Sequence, residues 1–388
     1  MENTPRLYSE LVALVGQPSQ WRDVRHLYTL VWMVVGLIQS GDVSLTAWIP
    51  FVRGRARYAQ STQRRFARWL QNPRVEVQAL YASLIQQALA EWGKYTVYLA
   101  LDTTLLWNRY CIVRISVIYR GRAVPLVWQV LKHGSSSVAY EAYEALLDAV
   151  PLLLPQGVKV VFLADRGFAD TQLLAHLRHL RWHFRIRIKA SFGVYRSGHS
   201  PCKVEDFPLA PGRALFLHNV TITADHFGPV SLALARHTSN GECWYVVSDD
   251  PTSVQTFVEY GWRFDIEENF LDDKSNGFQL ESSLIRSAQA LERLCCVLAM
   301  TTLYLVSVGT SVVQQGKRRL VDPHWFRGSS YLKIGWKWIG YALSRCYELI
   351  TSVYLSGDPD PDPAMASTKQ AQKRLQRFEF EVKYEKVA

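Results

Sequence analysis

The run Lys159–Asp165 (KVVFLAD) constrains the fold of this chain more than any other stretch. Its apolar residues follow one another without alternation, so a strand built from them has no face to offer to water. Strands of that kind belong to parallel sheets covered by helices on both sides. The neighbouring segments fit such a sheet. After Gly93 come three runs rich in β-branched and aromatic residues: Tyr95–Asp102, Tyr110–Arg120 and Arg122–Lys132, the last two joined at Gly121. Tyr140–Leu154 then reads as one helix, closed by Pro155-Gln156-Gly157; Thr171–Leu180 reads as another, and Trp182–Lys189 alternates as a strand.

The resulting order, β-β-β-α-β-α-β, is that of an α/β fold with a ribonuclease-H-like core. Residues 94–190 form its first part. From Ala190 to about Asp250 the helical pattern vanishes, and strands are expected at Ala214–Thr223, Val230–His237 and Glu242–Ser248, with a turn at Ser239-Asn240-Gly241. Residues 191–250 therefore read as a β-rich insertion. The core resumes over 251–350, with one helix over Thr252–Asp273 and a long apolar one after Leu284. Residues 1–93 read as helices: Leu27–Ile38, a capped helix over Ser61–Leu70 stopped at Asn72-Pro73, and Gln78–Trp92. Alternating Asp and Pro over Gly357–Pro363 break the fold, and 351–388 is expected to be a mobile tail.

The chain of 388 residues carries 44 Lys+Arg against 34 Asp+Glu, a net charge of +10, which points to a polyanionic partner. The excess is concentrated. Between Val43 and Val75 stand Arg53, Arg55, Arg57, Arg64, Arg65, Arg68 and Arg74, with no acidic residue among them. Arg64, Arg65 and Arg68 lie off the apolar side of their helix, made by Phe66, Trp69 and Leu70. The six cysteines lack CxxC spacing, and the start of the chain lacks a secretory pattern, so a reduced, intracellular protein is expected. Leu294–Val313 has no charge over a length that could span a bilayer, but its five Ser/Thr and lack of a second such segment favour a buried core helix and no membrane. His133, His176, His179 and His183 have no cysteine partners at zinc-site spacing.

Two aspartates, Asp102 and Asp165, close apolar strands, where open sheets gather their functional groups. Taken singly, each could merely cap the following loop. The segment Tyr260–Lys274 adds a third acid, with the spacing Y-x2-R-x3-E-x6-K. At about 100° per helical residue, Tyr260, Arg263, Glu267 and Lys274 fall within about 60° of one another, while Asp265, Glu268 and Asp272 point elsewhere. One carboxylate flanked by two cations and a phenol suits a metal ligand with phosphate-binding groups beside it.

These blocks resemble those of the DDE transposases of bacterial insertion sequences in the YREK-signature branch, insertion-sequence family four. Leu101-Asp102-Thr103-Thr104 matches the first aspartate block, Ala164-Asp165-Arg166 the second, and Tyr260–Lys274 the YREK block. The resemblance spans roughly residues 95–310, including the position of the β insertion, and the helical N-terminus is compatible with a DNA-binding domain. It implies that Asp102, Asp165 and Glu267 are catalytic and hold two Mg²⁺ ions, with Mn²⁺ able to substitute, for nicking transposon ends and for strand transfer. Tyr260, Arg263 and Lys274 would grip flanking phosphates. Trp244 would stack on a base flipped out during a hairpin step of cut-and-paste transposition, unless it is an ordinary core residue of its strand. The arginine helix, with Arg64, Arg65 and Arg68, would contact the terminal inverted repeat, and Trp325–Lys337 could bind DNA or a second subunit. The partners implied are double-stranded DNA, at the transposon ends and the target, and a second copy of the chain in a homodimer. The place of action is cytoplasmic, at the nucleoid. Two other readings compete: a transposase-derived DNA-binding protein that no longer cuts, and a plain ribonuclease-H-like nuclease, which would leave the insertion and the YREK segment without a purpose.

Overall fold

The computed structural model describes residues 4–16, 21, 23–54, 56–238, 240–364 and 381–382. Arg55, Ser239 and most of the expected mobile tail, residues 365–380 and 383–388, lie outside the described residues.

The chain opens with four helices: α1 (Thr4–Gly16), α2 (Val24–Ser40), α3 (Ala59–Gln71) and α4 (Val77–Ala88). Asp23 starts α2 by accepting the Arg25 N–H on its side chain, and Gly41, at φ +69°, ends it by donating to the Leu37 carbonyl. The start of α3 differs from the expected cap. Tyr58 supplies the extended N-cap backbone without a side-chain bond, and Ser61 sits inside the first turn with its N–H on the Tyr58 carbonyl. Thr62, Phe66, Trp69 and Leu70 form the buried stripe of α3.

The sheet follows. β1 (Thr96–Leu106), β2 (Tyr110–Tyr119) and β3 (Arg122–Leu131) form an antiparallel meander, and β4 (Lys159–Ala164) and β5 (His183–Arg187) add in parallel on the other side of β1. Between them, the helix expected over Tyr140–Leu154 is broken. Only α5 (Glu144–Ala149) is α-helical, with 3-10 turns at Tyr140–Ala142 and Val150–Leu153. Pro151 enters the second turn, where it has no N–H to continue an α-helix. The crossover from β4 to β5 is α6 (Thr171–His179).

The β-rich stretch contributes β6 (Gly193–Tyr195), β7 (Cys202–Lys203), β8 (Arg213–Ile222), β9 (Phe227–Arg236) and β10 (Cys243–Ser248). These strands continue the same sheet: β10 pairs antiparallel with β5, giving the order β3-β2-β1-β4-β5-β10-β9-β8-β6-β7. The helix expected over Thr252–Asp273 is two, α7 (Val254–Gly261) and α8 (Phe264–Asp273). α9 (Ala288–Gln314) and α10 (Tyr331–Ser344) complete the helical part, and β11 (Glu381–Val382) adds to β8. The fold is mixed α/β on one large mixed sheet.

The uncharged segment is the core of α9, which is buried along its length; its most apolar 18-residue window is 94% buried within the protein. Contrary to the expected break, Gly357–Pro363 is docked. Asp358 bonds Tyr95, Asp360 takes Arg327 at 2.8 Å and Tyr331 at 2.6 Å, and Asp362 meets Arg318. The prolines prevent regular structure, but the aspartates between them answer two buried arginines: Asp360 pairs with Arg327, and Asp362 joins Asp322 on Arg318.

Candidate active site

β1 does not end at Asp102, as its apolar run suggested. It continues to Leu106 because β2 keeps pairing with it, through Asp102↔Arg114 as far as Leu106↔Tyr110. Its pairing with β4 does stop there, at Leu101↔Ala164. The next register step sets Asp102 beside Asp165, at the carboxyl edge of the parallel pair. Side chains alternate along a strand, so Ala100 and Asp102 share a face with Leu163 and Asp165. α8 lies on that face, with Ile266 and Phe270 packed on Ala100, Val161 and Leu163.

Two ion pairs clamp α8 in place. Arg114, 1% exposed, donates to Asp273 at 2.7 Å and to Asn269 at 2.8 Å. Arg122 reaches Asp272 at 2.9 Å. An arginine inside an otherwise apolar strand (YCIVRISVIY) was a legible sign of a buried charge partner, because an unpaired buried charge is prohibitively costly. Sequence reasoning did not use it.

The break between α7 and α8 corrects the single-face picture of Tyr260–Lys274. Tyr260 lies in the last turn of α7, Arg263 precedes α8, and Lys274 leaves the helix at ψ −99°. Gly261 is a weak helix former, and the adjoining Trp262 packs edge-on to Tyr98 of β1, with ring centroids 4.5 Å apart. Three of the four residues still converge on the aspartates. The Tyr260 hydroxyl donates to Asp165 Oδ1 at 3.2 Å. Arg263 donates from Nη1 to Asp102 Oδ2 at 3.0 Å and from Nη2 to Glu267 Oε1 at 2.7 Å. Lys274 stands further along β1, bonded to the Leu105 carbonyl at 2.6 Å and 3.5 Å from Glu281.

Burial raises the Asp102 pKa from 3.8 to about 6; Arg263 and the Thr103 N–H oppose the rise, and the charges of Glu267 and Asp165 add to it. Burial likewise pushes the Tyr260 phenol up to about 12, so it remains a donor toward Asp165. For Arg263, burial alone would lower the pKa, yet Tyr260, Asp102 and Glu267 hold it above its ordinary value.

Trp244 is a core residue of its strand in this DNA-free structure. It is 4% exposed, edge-on to Tyr260 at 5.4 Å, and set among Ala233, Ala235 and Val246. Its strand turns it into the packing beneath α7, with Tyr260 edge-on and Phe264 tilted at 6.1 Å. On α3, Arg64 and Arg68 are exposed, whereas Arg65 is half-buried over the Phe66 ring at 5.3 Å. A groove of about 370 Å³ connects the neighbourhood of α3 to the loop after α8, lined by Gln63, Ala67 and Gln71 on one side and Ser283–Ser287 on the other. Arg286 of that loop stacks on Trp107, at the tip of the β1–β2 hairpin, at 3.7 Å.

The donor set of the three acids is hard oxygen, which suits Mg²⁺-like cations. Among the described residues, however, the one group of three whose ligand atoms all lie within 4.8 Å of one another is His183, Asp249 and Asp250. Arg185 already reaches Asp250 at 3.0 Å, Asp249 at 3.7 Å and Glu259 at 2.9 Å, and His183 opens β5 at the end of the sheet away from Asp102. That group is an ion-pair network tying α7 to β5. At the sheet edge, the guanidinium of Arg263 stands between Asp102 and Glu267.

Acids at the carboxyl edge of a mixed sheet, bridged by a buried arginine, are the chemical signature of a candidate active site in an α/β enzyme. Residues 108–304, just over half of the chain, match the family described as transposase DDE domain, and the chain belongs to that family. It is a DDE-type transposase, an enzyme of DNA transposition that acts on DNA; enzymes of this family use divalent metal. The matched span includes Asp165 and Glu267 and begins six residues after Asp102. Among solved structures, the chain is similar to a piggyBac transposase synaptic complex with hairpin DNA, at 11% identity and a TM-score of 0.44, covering 95% of this chain and 87% of that one. A likeness that loose transfers no residue. No curated protein matches the chain.

Proposed function

We propose that the chain is a transposase of the YREK-signature branch, insertion-sequence family four, with a ribonuclease-H-like core that cuts transposon ends through Asp102, Asp165 and Glu267. The observation that carries this reading is that Arg263 joins Asp102 to Glu267 one register step from Asp165, though the three acids are 63 and 102 positions apart in sequence. Bound Mg²⁺, or Mn²⁺ in its place, would supply Lewis-acid activation of the attacking oxygen and stabilise the leaving one.

The chain's own groups do the rest. Asp102 and Asp165, on neighbouring strands, and Glu267, on the clamped α8, would supply the charge that holds the cations. Tyr260 orients the Asp165 carboxylate through its hydroxyl. Arg263 and Lys274 stand on either side of Glu267 along the chain and would take the phosphates flanking the cut once released from their present partners. Arg64 and Arg68, with Arg65 partly covered, would contact the terminal inverted repeat from the N-terminal helices, and a second copy would complete a homodimer on the paired ends. The site of action would be nucleoid DNA in the cytoplasm. If cutting proceeds through a hairpin with Trp244 stacked on the extruded base, the packing of Tyr260 and Phe264 around it would have to open on DNA.

Asp102→Asn, Asp165→Asn and Glu267→Gln should each abolish metal-dependent nicking of an end substrate while gel-shift binding to that DNA persists. These swaps keep shape and remove charge. Normal cutting by Glu267→Gln, with cutting lost in Glu268→Gln, would show that the wrong residue of α8 has been chosen.

A further inference from the structure

The geometry around Arg263 points to a charge exchange. Its side chain is 5% exposed, and both terminal nitrogens are committed, one to Asp102 and one to Glu267. Its Nε is buried without a hydrogen-bond partner, and the Phe264 ring lies 4.5 Å beneath the guanidinium. Asp102 is equally committed: Oδ1 accepts from the Thr103 N–H at 2.8 Å and Oδ2 from Arg263. A cation bridging Asp102 and Glu267 would take the space between them that the guanidinium now fills, and two positive charges there would repel.

We propose that Arg263 is an internal counter-ion, which occupies the cation position between Asp102 and Glu267 until a divalent metal displaces it and frees the guanidinium for a DNA phosphate. The inference rests on the reading of these carboxylates as metal-binding groups. Carboxylates gathered at a desolvated sheet edge need positive charge beside them or must take up protons. A guanidinium meets that need in the absence of metal, since its planar fork satisfies two carboxylates at once. The exchange is also easy to begin. The Glu267 side chain is 48% exposed, so it can swing from Arg263 toward a cation with solvent filling behind it. The freed guanidinium carries an Nε and two Nη donors, and a phosphate is the ligand that matches them. Arg263 is thus a positioning residue before metal arrives and a substrate-binding one afterwards.

The test is Mn²⁺ binding to the full chain without DNA, read by electron paramagnetic resonance of free Mn²⁺. Arg263→Met keeps the side chain's bulk and removes its charge; it should bind Mn²⁺ about tenfold or more tightly than the unaltered protein. Arg263→Lys, which can hold one carboxylate but not both in a fork, should fall between. Asp102→Asn should weaken binding in either background. Equal or weaker affinity in Arg263→Met, with binding still dependent on Asp102, overturns the counter-ion and leaves the metal site standing. Absence of binding in all variants overturns it too, because removing the arginine would then have opened nothing. Binding that ignores Asp102→Asn places the metal elsewhere and removes the reading underneath. Should Arg263→Met fail to fold, the comparison of Arg263→Lys with the unaltered protein decides alone, and unchanged affinity is the negative result.

Discussion

Asp102 carries a charge that its surroundings oppose, and the opposition has a direction in pH. Its folded pKa, about 6, lies above the ordinary 3.8, chiefly through burial. A carboxyl whose folded pKa is raised favours the folded state when protonated. Its contribution is fully present below 3.8 and is lost as pH rises through about 6. The difference is on the order of 3 kcal/mol without metal. Asp102→Asn should therefore gain stability over the unaltered protein between about pH 4 and pH 7, when both are unfolded by urea in the presence of a chelator. Asp272, Asp273 and Glu292 are also shifted upward by burial, but they are common to both proteins and cancel in the comparison. A stability difference that stays flat across this range would mean that Asp102 is not the strained group. The same residue scale explains Trp244. Its indole supports Tyr260, which in turn holds Asp165, so one route from the tryptophan to the site runs through that neighbour.

At the scale of elements, the site depends on how tightly helices can approach one another and the sheet. α9 and α10 cross through glycines. A Cβ on Gly309 would collide with the Tyr331 carbonyl, and one on Gly335 with the Leu305 carbonyl. Both obstacles are backbone, so neither can rotate away. Gly309→Ala and Gly335→Ala should each cost roughly 3 kcal/mol or more, through separation of the helices. Gly340, on the same helix as Gly335, meets nothing within 4 Å, and Gly340→Ala should be neutral or stabilising by up to about 1 kcal/mol from helix propensity alone. Urea midpoints of the three variants decide the matter, and a Gly309→Ala protein as stable as Gly340→Ala would show that the helices are not in backbone contact. α8 is held differently, by the Arg114–Asp273 and Arg122–Asp272 pairs, so Glu267 is positioned by charge as well as by packing.

Across the whole molecule, charge is distributed by task. Arginines at buried positions, such as Arg114, Arg185, Arg318 and Arg327, are spent on internal carboxylates. Those of α3 are not committed in this way, and they account for part of the net charge of +10. Replacing Arg64 and Arg68 with Ala should weaken DNA binding and reduce its salt dependence by about one unit of slope for each phosphate left without its arginine. Arg65→Ala should act more on stability than on slope, because the guanidinium covers Phe66. Affinity measured over a series of salt concentrations separates the two effects, and an unchanged slope in the Arg64/Arg68 variant would reduce this helix to a solvated surface.

By itself, the sequence determined the strands, the buried helix α9 and the candidate acids, because each leaves a local trace. An apolar run without alternation reads as a parallel strand, and a charge within or just beyond such a run marks an exception worth explaining. The spacing of Tyr260, Arg263 and Glu267 was legible for the same reason. Long-range and packing decisions were not. That β1 continues past Asp102 depends on β2, that residues 190–250 extend the core sheet depends on β10 meeting β5, and that α7 and α8 part depends on Trp262 finding Tyr98. Likewise, the burial of Trp244 and the docking of Asp358, Asp360 and Asp362 follow from partners far away in the chain. Periodicity records which faces a segment needs to hide. Only tertiary contact decides what hides them, and at this site it set an arginine where a metal would be expected.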